Sequence, residues 1–274
     1  MPYISIRGVE HYYEWLGESL SGNKPIMVFI HGWGGSSRYW QSTATALVDK
    51  FDCLLYDLRG FGRSGVHPTA NLGYELTSYV QDLAILLDML RLERVYIHAH
   101  SMGTSIATLF VSQHQQRVEK LILTCGGIFT YDEKAFAAFY RFGGYVVKFR
   151  PPWLLKLPFL DRIFMARFLH RAIIPEERRA FLEDFLLADY HAALGTMFAC
   201  VSQEQAELLP QKFAQLALPT LMISGEFDKI IPVSLGKEAA ALNQMIEFQV
   251  IPQTGHFPML EDEATYLQTL GKFL

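Results

Sequence analysis

Cysteine is scarce in this chain: Cys53, Cys125 and Cys200 are the three sulfhydryls in 274 residues. They cannot pair completely and stand far apart, which argues against a disulfide framework and against a closed zinc site. Charge is sparse as well, at 19% of residues, with 24 Lys and Arg set against 28 Asp and Glu. A net charge of −4 leaves no bulk electrostatic drive toward nucleic acid. No stretch approaches the ~18 uninterrupted apolar residues of a membrane span. Met1 to Gly17 has no cationic segment leading into a pure apolar run. These absences lead us to expect a cytoplasmic protein that neither enters the secretory route nor crosses a membrane. Hydrophobic residues are abundant, at half the total, and 14% of residues are aromatic. That balance excludes disorder and low complexity, and the length allows one large domain or two small ones.

Short β-rich runs alternate with helical ones through residues 1–126. Tyr3 to Arg7 and His11 to Leu16 read as a first pair of strands, and Pro25 to Ile30 as a continuous apolar strand covered on both faces. Phe51 to Asp57, Arg94 to His100 and Lys120 to Cys125 look similar. Between them Leu76, Tyr79, Val80, Leu83, Leu86, Leu87 and Leu90 make the stripe of a helix lying on a sheet. Such alternation predicts a mostly parallel sheet of the α/β class flanked by helices. The rhythm breaks after Gly126-Gly127, and residues 127–210 read as an inserted helical cap, its helices separated by Gly143-Gly144, Pro151-Pro152, Pro158 and Pro175. It returns over 211–274 with the strand Pro219 to Ser224, a helix near 233–243, the strand Ile246 to Ile251 and a last helix from about 259.

Several turns at the carboxyl ends of these strands carry chemistry. In Ala99-His100-Ser101-Met102-Gly103 a strand ends and a helix begins around one serine. A tight strand-to-helix turn exposes Oγ and aims backbone N–H groups at a reacting carbonyl, provided the residues two before and two after are small. Ala99 and Gly103 meet that condition; the plain alternative is that Ser101 is an ordinary helix cap. His31-Gly32-Trp33-Gly34-Gly35 follows the first central strand. A glycine-rich loop lets backbone donors approach an oxyanion, so Trp33 N–H and Met102 N–H are the candidate donors, each worth roughly 2.7–4 kcal/mol in a transition state by analogy with side-chain donors. Asp228 and His256 follow the last two strands, and in an open α/β sheet that edge is where ligands bind. Glu226 is the rival acid.

With Ser101, Asp228 and His256 in that order, the chain resembles the α/β-hydrolase superfamily, with its capped serine hydrolases of carboxylesterase and carbon–carbon hydrolase type. The likeness covers most of 1–126 and 211–274 and includes Asp57-Leu-Arg-Gly-Phe-Gly-Arg-Ser64, similar to a loop of capped members. It implies that Ser101 is the nucleophile, His256 the general base and acid, and Asp228 the residue that holds the imidazole tautomer. Asp228 is preferred over Glu226 because Ile231-Pro232 follows it in the family's spacing. A serine where related dehalogenases and epoxide hydrolases carry aspartate argues against those chemistries.

His31, His98 and His100 raise the alternative of a metal, but no HExxH helix or carboxylate-rich partner accompanies them, so neither a metal nor a cofactor is expected. Cys125 and Cys200 read as small core residues. The cap is distinctive: between Arg141 and Arg171 it holds Arg141, Lys148, Arg150, Lys156, Arg162, Arg167 and Arg171 against Asp161 alone, a local charge of +6. Phe142, Tyr145, Phe149, Trp153, Phe159, Phe164 and Phe168 are interleaved. The plain reading is a lid with a solvated basic face; the sharper one is a lid that meets anionic lipid or an acidic carrier of acyl chains. Taken together, the expectation is hydrolysis of a carboxylic ester of a small to medium, largely apolar molecule through an acyl-enzyme. Thioester or carbon–carbon bond hydrolysis on the same residues is the alternative, and a small-molecule receptor with vestigial hydrolysis is the alternative of another class.

Overall fold

The apolar runs at Ile26–Ile30 and Asp52–Tyr56 lie at the heart of an eight-stranded sheet, where both faces are covered and no polar alternation is needed. The computed structural model describes residues 3–17, 24–66 and 72–274, apart from the side chains of residues 135, 139 and 142. The strands are β1 (Tyr3–Ile6), β2 (Val9–Leu16), β3 (Ile26–Ile30), β4 (Asp52–Tyr56), β5 (Val95–His100), β6 (Val118–Thr124), β7 (Thr220–Gly225) and β8 (Ile246–Ile251). They are ordered β1-β2-β4-β3-β5-β6-β7-β8. The pairs β1/β2 and β2/β4 are antiparallel and all others are parallel.

Strand alternation sorts the core into two layers. Val28, Ile30, Ile97, Ala99, Leu121 and Leu123 face the helices α2 (Leu76–Met89) and α3 (Met102–His114). Met27, Phe29, Cys53, Leu55, Leu221 and Ile223 point the other way, toward α1 (Gln41–Leu47) and the C-terminal helix Glu263–Phe273. Between β6 and β7 stand α4 (Glu133–Lys148), α5 (Leu160–Met165), α6 (Pro175–Leu187), α7 (Tyr190–Cys200) and α8 (Gln203–Ala214), with α9 (Val233–Ala241), α10 (Pro258–Glu261) and α11 (Glu263–Phe273) completing the chain. No helix among the described residues is long and apolar enough to cross a membrane.

Two expectations need correction. Gly143-Gly144 does not separate helices: α4 runs through both, and Gly143 is the point where Met197 of α7 approaches so closely that a Cβ would collide with its sulfur. The division at 210/211 falls inside α8, whose Leu209 and Phe213 share one buried cluster with Phe110 of α3, so this helix packs with the sheet's own layers.

Histidines are buried in this core. His98 lies among Phe29, Trp40 and Tyr266, its Nε2 2.6 Å from the Tyr266 hydroxyl, while its Nδ1 has no partner among the described residues. Burial pushes His98 down to about 3, and holds His11, His31 and His100 below the ordinary value as well. An unfolded histidine titrates near about 6.5, so each folded-state depression stabilises fully above that pH and is lost as pH falls toward the folded value. Urea unfolding should therefore show stability declining below about pH 6.5, by up to about 1.4 kcal/mol per pH unit for each such ring. His98→Phe, which leaves the Tyr266 hydroxyl its bond to Thr124, should flatten that decline; an unchanged slope would show that His98 is not a source of it.

Candidate active site

Ser101 stands at the junction of β5 and α3 with φ 53° and ψ −122°, a strained conformation that a side chain rarely adopts. Its N–H donates to Thr124 C=O at 2.9 Å and its C=O accepts from Thr104 N–H at 2.8 Å, so both strand and helix hold the turn. Close packing makes the turn possible. A Cβ at Gly103 would come within 2.7 Å of Ile30 O and 2.8 Å of His31 O, so the helix start can lie against β3 only because residue 103 is glycine.

The other two residues arrive from loops after β7 and β8. His256 Nε2 lies 3.0 Å from Ser101 Oγ, and His256 Nδ1 lies 2.7 Å from Asp228 Oδ2. The other carboxylate oxygen of Asp228 accepts from the N–H groups of Ile230 and Ile231 at 2.7 and 3.0 Å. Burial acts to raise the Asp228 pKa, but the His256 ring and those two amides outweigh it and hold the carboxyl below its usual range. Glu226 is exposed and accepts instead from Gln253 N–H at 2.9 Å. Ser101, His256 and Asp228 thus meet in one hydrogen-bonded chain, and Glu226 is outside it.

The loop after β3 is set by its own side chains. His31 Nε2 accepts from Leu58 N–H at 2.8 Å, which leaves Nδ1–H to donate to Gly32 C=O at 2.8 Å. Asp57, fully buried, accepts from Ser37 N–H and its hydroxyl at 2.8 and 2.7 Å and from Arg63 N–H and Nε–H, both at 2.8 Å. Burial opposes ionisation there too, yet Arg63 and the neighbouring donors keep the Asp57 carboxyl below the ordinary value. Gly32 N–H is used up by the Tyr39 hydroxyl. The N–H groups of Trp33 and Met102 bond to no acceptor among the described residues; Met102 follows Ser101 directly, and Trp33 follows Gly32, where an added Cβ would lie 2.9 Å from Ser101 Cβ.

Two connections were not singled out from sequence. The Tyr39 hydroxyl donates to His100 Nδ1 at 2.9 Å, and His100 Nε2–H donates to the His256 carbonyl at 2.7 Å. A chain of hydrogen bonds therefore runs from Gly32 to the backbone of His256. The second is Glu261, five residues beyond His256. One of its oxygens accepts from Gly255 and Phe257 N–H at 2.9 and 3.2 Å, the other from His170 and Arg171 N–H, both at 2.7 Å. His256 N–H itself donates to Phe168 C=O at 2.6 Å, so the cap segment 168–171 and the histidine loop are stitched together. An acid at that distance from a candidate histidine was the available signal; its four amide partners come from two distant segments and leave no trace in a linear reading.

His100, Cys125 and His256 place one ligating atom each within 4.8 Å of one another. Both nitrogens of both rings are engaged in the bonds just described, so a metal there would have to displace them. Burial and the neighbouring Asp228 carboxylate push the Cys125 thiol well up, and burial pushes Cys53 and Cys200 up to about 12, which suits packing more than reactivity. Around the site the side chains are aromatic. Phe168 stands 6.2 Å from the His256 ring, Phe257 packs on Tyr39 and Phe181, and Trp33 packs on Phe185 while donating Nε1–H to Ala193 C=O of α7 at 2.8 Å.

Comparison with known proteins bears on the family and the fold. A protein of Mycobacterium tuberculosis is 28% identical over 286 residues, 100% of this chain and 81% of that protein. The 2-hydroxy-6-oxononadienedioate/2-hydroxy-6-oxononatrienedioate hydrolase of Paraburkholderia xenovorans is 25% identical over 254 residues, 90% of this chain and 86% of that protein. The solved esterase of Exiguobacterium antarcticum shares the fold with a TM-score of 0.82 at 21% identity, covering 99% of this chain and 98% of that one. The sequence profile of the alpha/beta hydrolase fold matches residues 25–263, most of the length, and the chain belongs to that family.

Proposed function

We propose that this chain is a cofactor-independent serine hydrolase acting on a carboxylic ester of a small to medium, largely apolar molecule. The observation that carries the reading is the unbroken hydrogen-bonded sequence Asp228, His256, Ser101 beside two uncommitted backbone donors. His256 Nε2 takes the Ser101 hydroxyl proton as Oγ attacks the ester carbon. The carbonyl oxygen gains the negative charge and rests on Trp33 N–H and Met102 N–H. Collapse expels the alcohol, which receives the proton from His256, and leaves an acyl-serine. Water then repeats the sequence: His256 accepts its proton, hydroxide adds to the acyl carbon, and Ser101 departs with the proton returned. Asp228 holds the ring with Nδ1–H toward itself and stabilises the imidazolium between steps.

Charge around the site favours an apolar ester over a dicarboxylate of the kind named for the Paraburkholderia relative. The buried and half-buried arginines near this end of the sheet are all engaged: Arg59 by Asp82, Arg63 by Asp57, Arg38 by Asp184 and Glu183, and Arg150 by the carbonyls of Val147 and Phe185. The aromatic side chains beside His256 suit hydrocarbon instead.

Labelling with a fluorophosphonate probe and turnover of p-nitrophenyl esters of increasing acyl length test the reading directly. The native chain should label and Ser101→Ala should not, with kcat reduced by several orders of magnitude, up to about 10⁶-fold as in a well-studied serine protease. Retention of most activity in that variant overturns the mechanism. A chain that labels but turns over only β-diketone-like compounds is a carbon–carbon hydrolase, and one that does neither is a receptor. Asp228→Asn should keep its melting temperature while kcat falls by about 10⁴-fold through the wrong tautomer. Glu261→Gln replaces an oxygen with a donor facing amides that already donate, leaving buried N–H groups unpaired at roughly 1–3 kcal/mol. Its kcat should fall more than its KM rises, with some loss of melting temperature, and Glu261→Asp should recover part of kcat; a purely thermal defect with normal kcat would separate Glu261 from the placement of His256.

A further inference from the structure

The cap carries a surface that hydrolysis does not require. Five large apolar side chains project into solvent from the end of α4, the turn Pro152–Lys156 and the start of α5: Tyr145 at 64% exposure, Phe149 at 68%, Trp153 at 52%, Phe159 at 66% and Ile163 at 71%. Scattered exposed hydrophobics are ordinary on a protein surface, but this many within twenty residues of chain mark a surface that meets something apolar. Beside Tyr145 and Phe149 opens a groove of about 340 Å³ lined by aromatic and aliphatic side chains, with Phe164 and Phe185 in its wall. Phe185 packs on Trp33 and Phe164 on Phe168, so one layer of aromatic rings separates the groove from the candidate active site.

Charge decides what that surface meets. Of the seven cations between 141 and 171, Arg150 turns inward to carbonyls and Arg171 pairs with Asp262. Arg141, Lys148, Lys156, Arg162 and Arg167 are exposed and engage no acid among the described residues. The single acid of the stretch, Asp161, is neutralised by Arg178. Cations without counter-charges surround aromatic and aliphatic side chains, and the hydrogen bonds of residues 141–167 stay within the cap among the described residues. This is the arrangement of an element that dips its apolar side chains into a bilayer interface while its cations lie on anionic headgroups.

We propose that the cap tip, residues 141–167, docks on an anionic phospholipid surface. An acidic carrier protein would satisfy the cations but leave most of the projecting apolar area in water; a bilayer takes up both. Each cation near such a surface strengthens binding by about fivefold, so several acting together suffice for salt-sensitive, reversible attachment without a spanning helix. The proposal is independent of the hydrolytic reading, since binding is measured without turnover.

Co-sedimentation of the whole chain with vesicles tests it. With phosphatidylcholine vesicles containing about 30 mol% phosphatidylglycerol at low ionic strength most of the protein should pellet, with binding at least about tenfold weaker to pure phosphatidylcholine or at high salt. The triple variant Trp153→Ser, Phe159→Ser, Ile163→Ser and the charge variant Lys148→Glu, Lys156→Glu, Arg162→Glu should each lose binding by at least about tenfold while keeping the native melting temperature. No pelleting with anionic vesicles, or pelleting that both variants retain, overturns the proposal. It is overturned equally if the tip is covered by a second copy, seen as a dimer in solution that the serine variant dissociates, or if an acidic acyl carrier binds at the charge-variant positions while vesicles do not.

Discussion

The hydrogen bond between Asp228 and His256, 2.7 Å long and closed to solvent, is the contact on which the arrangement at the sheet's edge depends. A carboxylate in such a place is tolerable only when each oxygen is satisfied. The Ile230 and Ile231 amides satisfy one oxygen of Asp228 and the imidazole the other, so the ring has a single low-energy orientation. Its remaining nitrogen then points at Ser101. Rotating the ring would strand a buried charge, which is why two loops separated by a whole strand stay in register. The backbones close in to match: a Cβ at Gly225, at the end of β7, would overlap the carbonyl of Gly255.

Orientation of the ring is one condition and position of its backbone another. His256 is held at its N–H by Phe168, at its C=O by His100, and on either side by Glu261 through Gly255 and Phe257. Since His100 reaches Tyr39 and Tyr39 accepts from Gly32, the loop that presents Trp33 N–H is placed by the same network as the imidazole. The His100 link of this network is uncharged. Burial and the nearby His256 ring keep His100 from taking a proton, so it donates on one side and accepts on the other, and a charged His100 would turn Nδ1 into a donor opposing the Tyr39 hydroxyl.

Much of this was legible in sequence where local chemistry decides it. β3 and β4 could be read because strands buried on both faces must be continuously apolar, and the serine turn because a tight passage from strand to helix demands small neighbours at Ala99 and Gly103. The preference for Asp228 over Glu226 rested on spacing, and the geometry places Asp228 on the ring. What escaped were the long-range contacts that no family spacing announces. Gly143 looks like a helix breaker until Met197 is seen to fill the space beside it, and the first part of α8 looks like cap until Leu209 is found among core residues. The seven cations between Arg141 and Arg171 read as one basic face, yet Arg150 reaches Phe185 C=O and Arg171 pairs with Asp262, partners that no short window of sequence contains.

The same contacts divide the cap into a fixed part and a free one. Segment 168–171 is bound to the histidine loop through Phe168 and Glu261; α6 is bound to the turn at Ser36 and Arg38 through Asp184, and α7 to Trp33 through Ala193. Lifting any of these would disturb His256 or the loop carrying Trp33, so a motion of the cap that begins there would take the hydrogen-bonded residues at the sheet's edge with it. Residues 141–167 have no hydrogen bond to the sheet or its loops among the described residues: Arg150 reaches the carbonyls of Val147 and Phe185, Asp161 pairs with Arg178, and Val147 and Met165 add apolar contacts with the core. Packing against Phe164 and Phe185 is apolar and non-directional, and the polar ties of the tip, from Arg150 and Asp161, end on other residues of the cap and not on the loops that carry His256 and Trp33. The tip can therefore respond to what it touches while the residues behind it keep their geometry, which is the division that a surface-facing cap over a rigid site requires.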